Sequence, residues 1–323
     1  MERLKKTTCV SICALLMGVA FDTPASAEDV AAQSTAKSHV VELFKGLSKS
    51  TKWRLAEKIK LKFQTHHPQG MVKIGDFFYL SSVETIERPK KFNESTQGYD
   101  RTPGKGVGHL FKFRKDGKLI SSTALGEGHA YHPGGIDYDG RWLWVPVAEY
   151  RPNSSSIIYR VDPETMRTTE VFRFNDHIGA IVHNTKDKTL HGVSWGSRRF
   201  YTWDLNERLD LRDPLIPPDK LRRLNGSHYI DYQDCHYLRQ SYMLCGGVNK
   251  YKTPDGGFYL GGLDLLDLTA QTAVHQIPVA LWLESGIVMT HNPYYVEIHN
   301  DNLRFYFAPE DNDTTLYVYD ALR

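Results

Sequence analysis

The sequence predicts an all-β protein, a β-propeller of five four-stranded blades. Three observations carry that prediction. A short motif recurs five times at a spacing near 50 residues. Each copy is followed by strands of alternating apolar and polar residues. The two termini hold an orphan strand and an incomplete unit that complete one another.

The best-preserved copy is His132-Pro133-Gly134-Gly135-Ile136-Asp137-Tyr138-Asp139-Gly140-Arg141-Trp142-Leu143-Trp144. Ile136 and Tyr138, then Trp142 and Trp144, are β-branched and aromatic residues that pack well on a pleated surface. Asp139-Gly140 between them is a two-residue hairpin turn signal, because glycine accepts the positive φ that such turns need. Gly134-Gly135 marks a close backbone approach with no room for a side chain.

Taken in order, the chain opens with a leader pattern over residues 1–27. Arg3, Lys5 and Lys6 precede a short apolar run, and Ala25-Ser26-Ala27 reads as a cleavage site. The run is too short to span a bilayer comfortably, and no later segment is long and apolar enough to do so. The expected product is therefore exported, to the periplasm or the medium, with no membrane span after cleavage. Three of the 40 basic and two of the 38 acidic residues leave with the leader, so the mature chain carries a net charge of +1. That balance offers no electrostatic case for nucleic acid.

Residues 28–50 read as a flexible segment with a short helix near Val40–Leu47, and residues 51–323 as one propeller domain. From Trp53 to Phe63 apolar and basic residues alternate, as in a strand with one wet face. Lysines on such a strand suit a sheet edge.

The repeat heads follow. They are His67-Pro68-Gln69-Gly70, His132-Pro133-Gly134-Gly135, His177-Ile178-Gly179-Ala180, Asp231-Tyr232-Gln233-Asp234 and Leu283-Glu284-Ser285-Gly286. Third strands ending in or near aspartate recur, as in Ile158–Asp162, Phe200–Asp204 and Leu316–Asp320, and fourth strands include Thr168–Phe174 and Thr272–Pro278. Four antiparallel strands per repeat is the blade signature. The last unit lacks a fourth strand, and the Trp53–Phe63 strand completes it and closes the ring. A β-sandwich is the rival fold. A sixth blade within Asn206–Ser227 is the other alternative, against which Pro214, Pro217 and Pro218 argue for a loop.

In this topology the five heads meet around one axis. They bring His67, His132 and His177 together with Asp234 and Glu284, an N/O donor set suited to one divalent metal ion. Histidines that merely cap their own blades are the alternative. The overlying loops supply Glu149, Tyr150, Arg151, Trp195, Arg198 and Lys250, a rim suited to a small polar or anionic ligand. Residues 84–108 form a long insertion in the first blade, with the length of a lid. Cys235 and Cys245 flank a turn, and either a disulfide or two buried thiols fits that spacing. No phosphate loop or dinucleotide motif is present, so no nucleotide cofactor is expected. The oligomeric state is left open.

Residues His132–Pro163, with His177-Ile178-Gly179-Ala180 and Gly192-Val193-Ser194-Trp195-Gly196-Ser197-Arg198, resemble a family of exported bacterial propeller-like proteins known as a domain of unknown function. That resemblance covers residues 50–323 and implies a propeller and export, but no reaction. The architecture is more distantly similar to lactonase and strictosidine synthase-like propellers, which hold a metal on the axis. Two functions follow as expectations. One is a propeller with a small-molecule or partner recognition face around its axis. The alternative is a metal-dependent hydrolase or lyase acting on a small polar or anionic substrate there.

Overall fold

The computed structural model describes residues 39–254 and 256–322. The leader expected over residues 1–27 lies outside them. Helix α1 (residues 39–45) comes first. Its Val40, Val41, Leu43 and Phe44 are buried, together with Leu47, against the fourth and fifth blades. Strand β1 (Lys52–Lys60) follows.

Blade one contains β2 (His67–Ile74), β3 (Phe77–Glu87), a two-stranded ribbon of β4 (Lys91–Thr96) and β5 (Tyr99–Arg101), then β6 (Lys105–Arg114) and β7 (Leu119–Leu125). Blade two has an interrupted inner strand, β8 (Ala130–Pro133) and β9 (Asp137–Tyr138), then β10 (Leu143–Glu149), β11 (Ser156–Val161) and β12 (Thr168–Phe174). Blade three has β13 (Ile178–Asn184), β14 (Thr189–Ser194), β15 (Arg199–Asp204) and the two-residue β16 (Arg223–Leu224), reached through the short helix α2 (Pro218–Leu221). Blade four has β17 (Asp231–Leu238), β18 (Tyr242–Tyr251), β19 (Phe258–Asp267) and β20 (Thr272–Pro278). Blade five has β21 (Tyr294–His299), β22 (Asn302–Phe307) and β23 (Thr315–Leu322).

The fold is thus an all-β propeller with five four-stranded antiparallel blades. The ring closes as the termini predict. β1 lies antiparallel beside β23 as the outer strand of blade five, with Lys52 opposite Leu322 and Lys60 opposite Thr315. Arg54 reinforces the joint through Asp320 at 2.9 Å, and Arg304 reaches the same carboxylate at 2.7 Å. Residues 206–222 carry no further blade among the described residues.

Five blades leave little space at the centre, and glycine is what lets the inner strands meet. Gly135 donates to the Gly179 carbonyl at 2.8 Å, and Ile181 donates back to the Gly135 carbonyl. A methyl group on Gly134 would stand 2.2 Å from that same Gly179 oxygen. On Gly70 it would stand 2.5 Å from the Ile136 nitrogen. Between blades the core is aromatic and aliphatic, as where Phe78, Phe113 and Leu80 meet Tyr306 and Val318.

One repeat is misread from sequence. Tyr294–His299 is the innermost strand of blade five, not its second, and its head is His291-Asn292-Pro293. The 283–287 segment is a tight turn, in which Leu283 and Ile287 pair, outside the blade. The turn at Gly286 stands a few residues before the true head, and its glycine imitates the glycine of the heads at Gly70 and Gly135.

Cys235 and Cys245 stand opposite each other in the β17–β18 register and are joined by a disulfide.

Candidate functional site

The heads of blades one to four line a cavity of about 230 Å³ at one end of the axis. His67 is the first residue of β2, His132 lies in β8, His177 directly precedes β13 and Asp231 opens β17. Gln69, Gln233, Tyr150, Ser194 and Trp195 complete the walls. The rings form a continuous set. His67 and His132 have centroids 6.5 Å apart, His132 and His177 5.9 Å, His132 and Tyr150 4.2 Å, and His177 and Trp195 4.9 Å.

Each histidine is held differently. His177 is buried, and its Nδ1 lies 2.8 Å from the Glu149 carbonyl. A carbonyl only accepts, so Nδ1 carries the proton and Nε2 the lone pair. Burial drives its pKa down to about 4, so the ring is neutral at pH 7. His67 places Nδ1 2.7 Å from Asp311 Oδ1, and Asn292 donates to the same oxygen. Burial pushes Asp311 up, but the hydrogen bonds from His67 and Asn292 and the nearby charges of His67 and His291 together outweigh that and hold it below the ordinary carboxylate range. His132 is buried, and neither of its ring nitrogens has a hydrogen-bond partner. Burial first, then the neighbouring His177 and His67, push it well below the usual histidine value. Buried polar atoms in native proteins are nearly always paired.

The cationic rim is spent within the protein. Arg151 grips Glu149 at 2.7 Å and 2.6 Å, with both side chains nearly buried. Arg198 pairs with Asp231 at 2.8 Å and also donates to the Gly196 carbonyl. Lys250 is exposed, with its ammonium 5.5 Å from the Tyr259 ring, and does not line the cavity. The β4–β5 ribbon leans on this rim. The Arg101 guanidinium lies 4.8 Å from the centre of the Trp195 ring, and that of Arg151 lies 3.5 Å from the Tyr99 ring.

The structure thus brings His67, His132, His177, Tyr150 and Trp195 to one cavity, with Glu149, Arg151 and Arg198 just behind its wall. Glu284 is exposed in the 283–287 turn and takes no part. Asp234 is fully buried deeper on the axis. It accepts from the amides of Met71 at 2.8 Å, Ile136 at 3.1 Å and Cys235 at 3.1 Å. No three of the five residues expected to ligate a metal bring donor atoms within 4.8 Å of one another. Among the described residues only His66, Glu84 and His109 do so. The sequence does not single out Gln69 or Gln233 as cavity residues, whereas the ribbon falls within the insertion at residues 84–108 that it marks as lid-length. Asp311 belongs to a loop the sequence places over the heads, but Asn292 is missed because the fifth head is misplaced. The His-x-Pro of His291–Pro293 was the available signal, since it echoes His67-Pro68 and His132-Pro133.

The buried neutral histidines make stability fall with acid. For His177, and for His191 in the third blade, burial sets the folded pKa at about 4. That is below the unfolded value, so between the two the unfolded chain binds more protons. The stabilisation is complete above about pH 6.5 and is lost as pH falls towards 4, by about 2–3 kcal/mol per residue at pH 4.5. Asp234, raised by burial to about 7, acts in the opposite sense. The histidine contribution is therefore read as a difference. Urea unfolding at pH 7 and pH 4.5 is expected to show the wild type losing about 2–3 kcal/mol more than His177→Gln. Equal losses would contradict the neutral, buried assignment.

The model of a family of unknown function, DUF6454, matches residues 25–323. No curated protein matches the sequence. Similar solved structures include a luciferin-regenerating enzyme, at 11% identity and a TM-score of 0.43, covering 83% of this chain and 95% of that one. A tail fiber of a Staphylococcus aureus phage is similar at 9% identity and a TM-score of 0.47, covering 88% of this chain and 55% of that one. Hydrazine synthase of Kuenenia stuttgartiensis is similar at 11% identity and a TM-score of 0.35, covering 78% and 65%.

Proposed function

Since the chain belongs to DUF6454, a family of unknown function, its site must speak for its role, and we propose that the head cavity binds a small, neutral, polyhydroxylated ligand. The observation that carries this reading is His132, buried on the cavity wall with both ring nitrogens unpartnered. A neutral imidazole offers one donor and one acceptor, the complement of a hydroxyl group. His177 adds a second lone pair, and Gln69 and Gln233 add amides. Tyr150 and Trp195 supply flat apolar faces of the kind that pack against a sugar-like ring. An anionic ligand is less well served. Arg151 and Arg198 already face carboxylates, and neutral imidazoles bring no positive charge. The volume of about 230 Å³ fits a molecule smaller than a typical drug.

The reading includes export. The leader pattern over residues 1–27 and the Cys235–Cys245 disulfide support it. No helix among the described residues is long and apolar enough to cross a membrane.

Ligand-observed NMR with monosaccharides, linear polyols and their carboxylate analogues tests the binding claim, with Trp195 fluorescence as a second readout. Neutral polyols are expected to bind. His132→Ala is expected to weaken them at least about tenfold while the protein stays folded, the cost of removing one well-used hydrogen-bonding group from a closed site. Preference for the carboxylates, or binding indifferent to His132, would refute the reading.

A further inference from the structure

Next to the head cavity lies a second cluster that the proposed ligand site does not use. His66 precedes β2, Glu84 lies on β3 and His109 on β6. His109 Nε2 stands 3.2 Å from Glu84 Oε2, and His66 Nε2 stands 3.9 Å from the same oxygen. One potential donor atom from each residue lies within 4.8 Å of the other two. We propose that His66, Glu84 and His109 form a site for one divalent transition metal ion of the zinc class.

The donor set fits. Two imidazoles and one carboxylate hold zinc in known catalytic sites, with a further position left for water, and the same set suits iron or manganese. Donor atoms around a tetrahedral zinc ion stand about 3.3–3.5 Å apart, given bonds of about 2.0–2.2 Å. The two observed separations from Glu84 bracket that value, and all three atoms lie within 4.8 Å of one another, so modest rotamer adjustments would bring them to one ion. Calcium and magnesium prefer all-oxygen shells and are disfavoured by the two nitrogens.

The site is also stiff and reachable. The His66 ring stacks on His109 at 4.9 Å and 12°, and His109 stacks on Phe111 at 5.3 Å and 11°. The His66 backbone has φ of 55°, a left-handed conformation unusual for a non-glycine residue, and its carbonyl accepts from Asn312 of blade five at 2.6 Å. Both imidazoles are just over four-fifths covered, while Glu84 remains 43% exposed on the open side. Burial lowers the His66 pKa, which favours the neutral, ligating form.

Position gives the metal a consequence. Glu84 and His109 lie on β3 and β6, the two strands that carry the β4–β5 ribbon. An ion bound to both would clamp the base of the ribbon that leans on Trp195. The site would thereby couple metal to the head cavity.

The experiment is titration of metal-stripped protein with Zn²⁺, and separately with Co²⁺, by calorimetry and visible spectroscopy. One equivalent is expected, at least about a hundredfold tighter than Ca²⁺ or Mg²⁺. His109→Ala and Glu84→Gln are each expected to weaken it 10- to 100-fold, and circular dichroism checks that they fold. In wild-type protein, Co²⁺ is expected to broaden the His66 and His109 ring signals selectively, a readout that needs no variant. Absence of binding at 100 µM metal would overturn the proposal. So would one equivalent lost in a His67→Ala, His132→Ala double variant and retained in Glu84→Gln, since the ion would then sit on the axis. Neither result bears on polyol binding, which is measured on metal-stripped protein.

Discussion

Replacing Asp234 by alanine is expected to cost at least about 4 kcal/mol, enough to leave much of the protein unfolded at 37 °C. Asp234 is wholly buried, and its two oxygens take backbone amides from blade one (Met71), blade two (Ile136) and its own blade four (Cys235). Alanine leaves three buried donors without an acceptor, and each such orphan costs about 1–3 kcal/mol. It also removes the carboxyl group whose Oδ2 lies 3.6 Å from His236 Nε2. Burial opposes charge on His236, but the Asp234 and Asp137 carboxylates outweigh it and hold the pKa above its ordinary value. A buried imidazole that loses a polar partner in such a place is costly. Asp234→Asn is the milder variant. It keeps the shape but turns one oxygen into an amide NH2 group that faces a donor, so it should lose roughly half as much. Chemical denaturation of both variants measures this. A loss under about 1 kcal/mol for alanine would show that the axis is not tied together through this carboxylate.

Removing residues 1–60 is expected to open the ring and abolish soluble monomer. β23 would then present an unpaired edge along most of its length, an invitation to aggregation. Blade five would lose the packing of Trp53 on Phe305 at 5.3 Å and the buried Ile59. The Arg54 contact with Asp320 would go as well. With the strand go the apolar residues of α1, at about 1.5–3 kcal/mol for each fully buried large side chain. The topology supplies its own rescue. Lys52 pairs with Leu322, so the start of β1 and the end of β23 are neighbours. Residues 52–61 appended after Arg323 through a short turn should restore a soluble monomer. Size-exclusion chromatography reads both variants. A truncated chain that remained monomeric with unchanged melting would refute ring closure as a requirement for folding, and failure of the appended strand would do the same for its sufficiency.

Most of the architecture was legible in the chain because it rests on local rules. Period-two alternation marks strands wherever one face is wet, and Asp139-Gly140 marks a turn. Repetition then multiplies these weak signals. The orphan strand at Trp53–Phe63 and the truncated last unit each define the other's place. The three axial histidines were legible for the same reason, since each occupies an equivalent position in its repeat. The Cys235–Cys245 bridge was open until the β17–β18 register set the two residues face to face. A shift of one residue would have turned one of them to the other side of the sheet.

By itself, then, the sequence determined the class of fold, the number of blades, the closure strand and the meeting of His67, His132 and His177. Those properties follow from pattern, which a chain displays along its own length. What only the tertiary structure decided is what each of these side chains does. Asp234 reads as a metal ligand from its place in the repeat, yet it accepts three backbone amides. Arg151 and Arg198 looked like a rim for anions and are committed to Glu149 and Asp231. His66, one residue from an axial histidine, stacks on His109 and approaches Glu84, partners that are 43 and 18 residues distant in the chain. Successive residues of an extended chain point to opposite sides. The identity of a neighbour across a sheet depends on register, and the charge a side chain keeps depends on burial. Neither is written in the spacing of residues along a single strand.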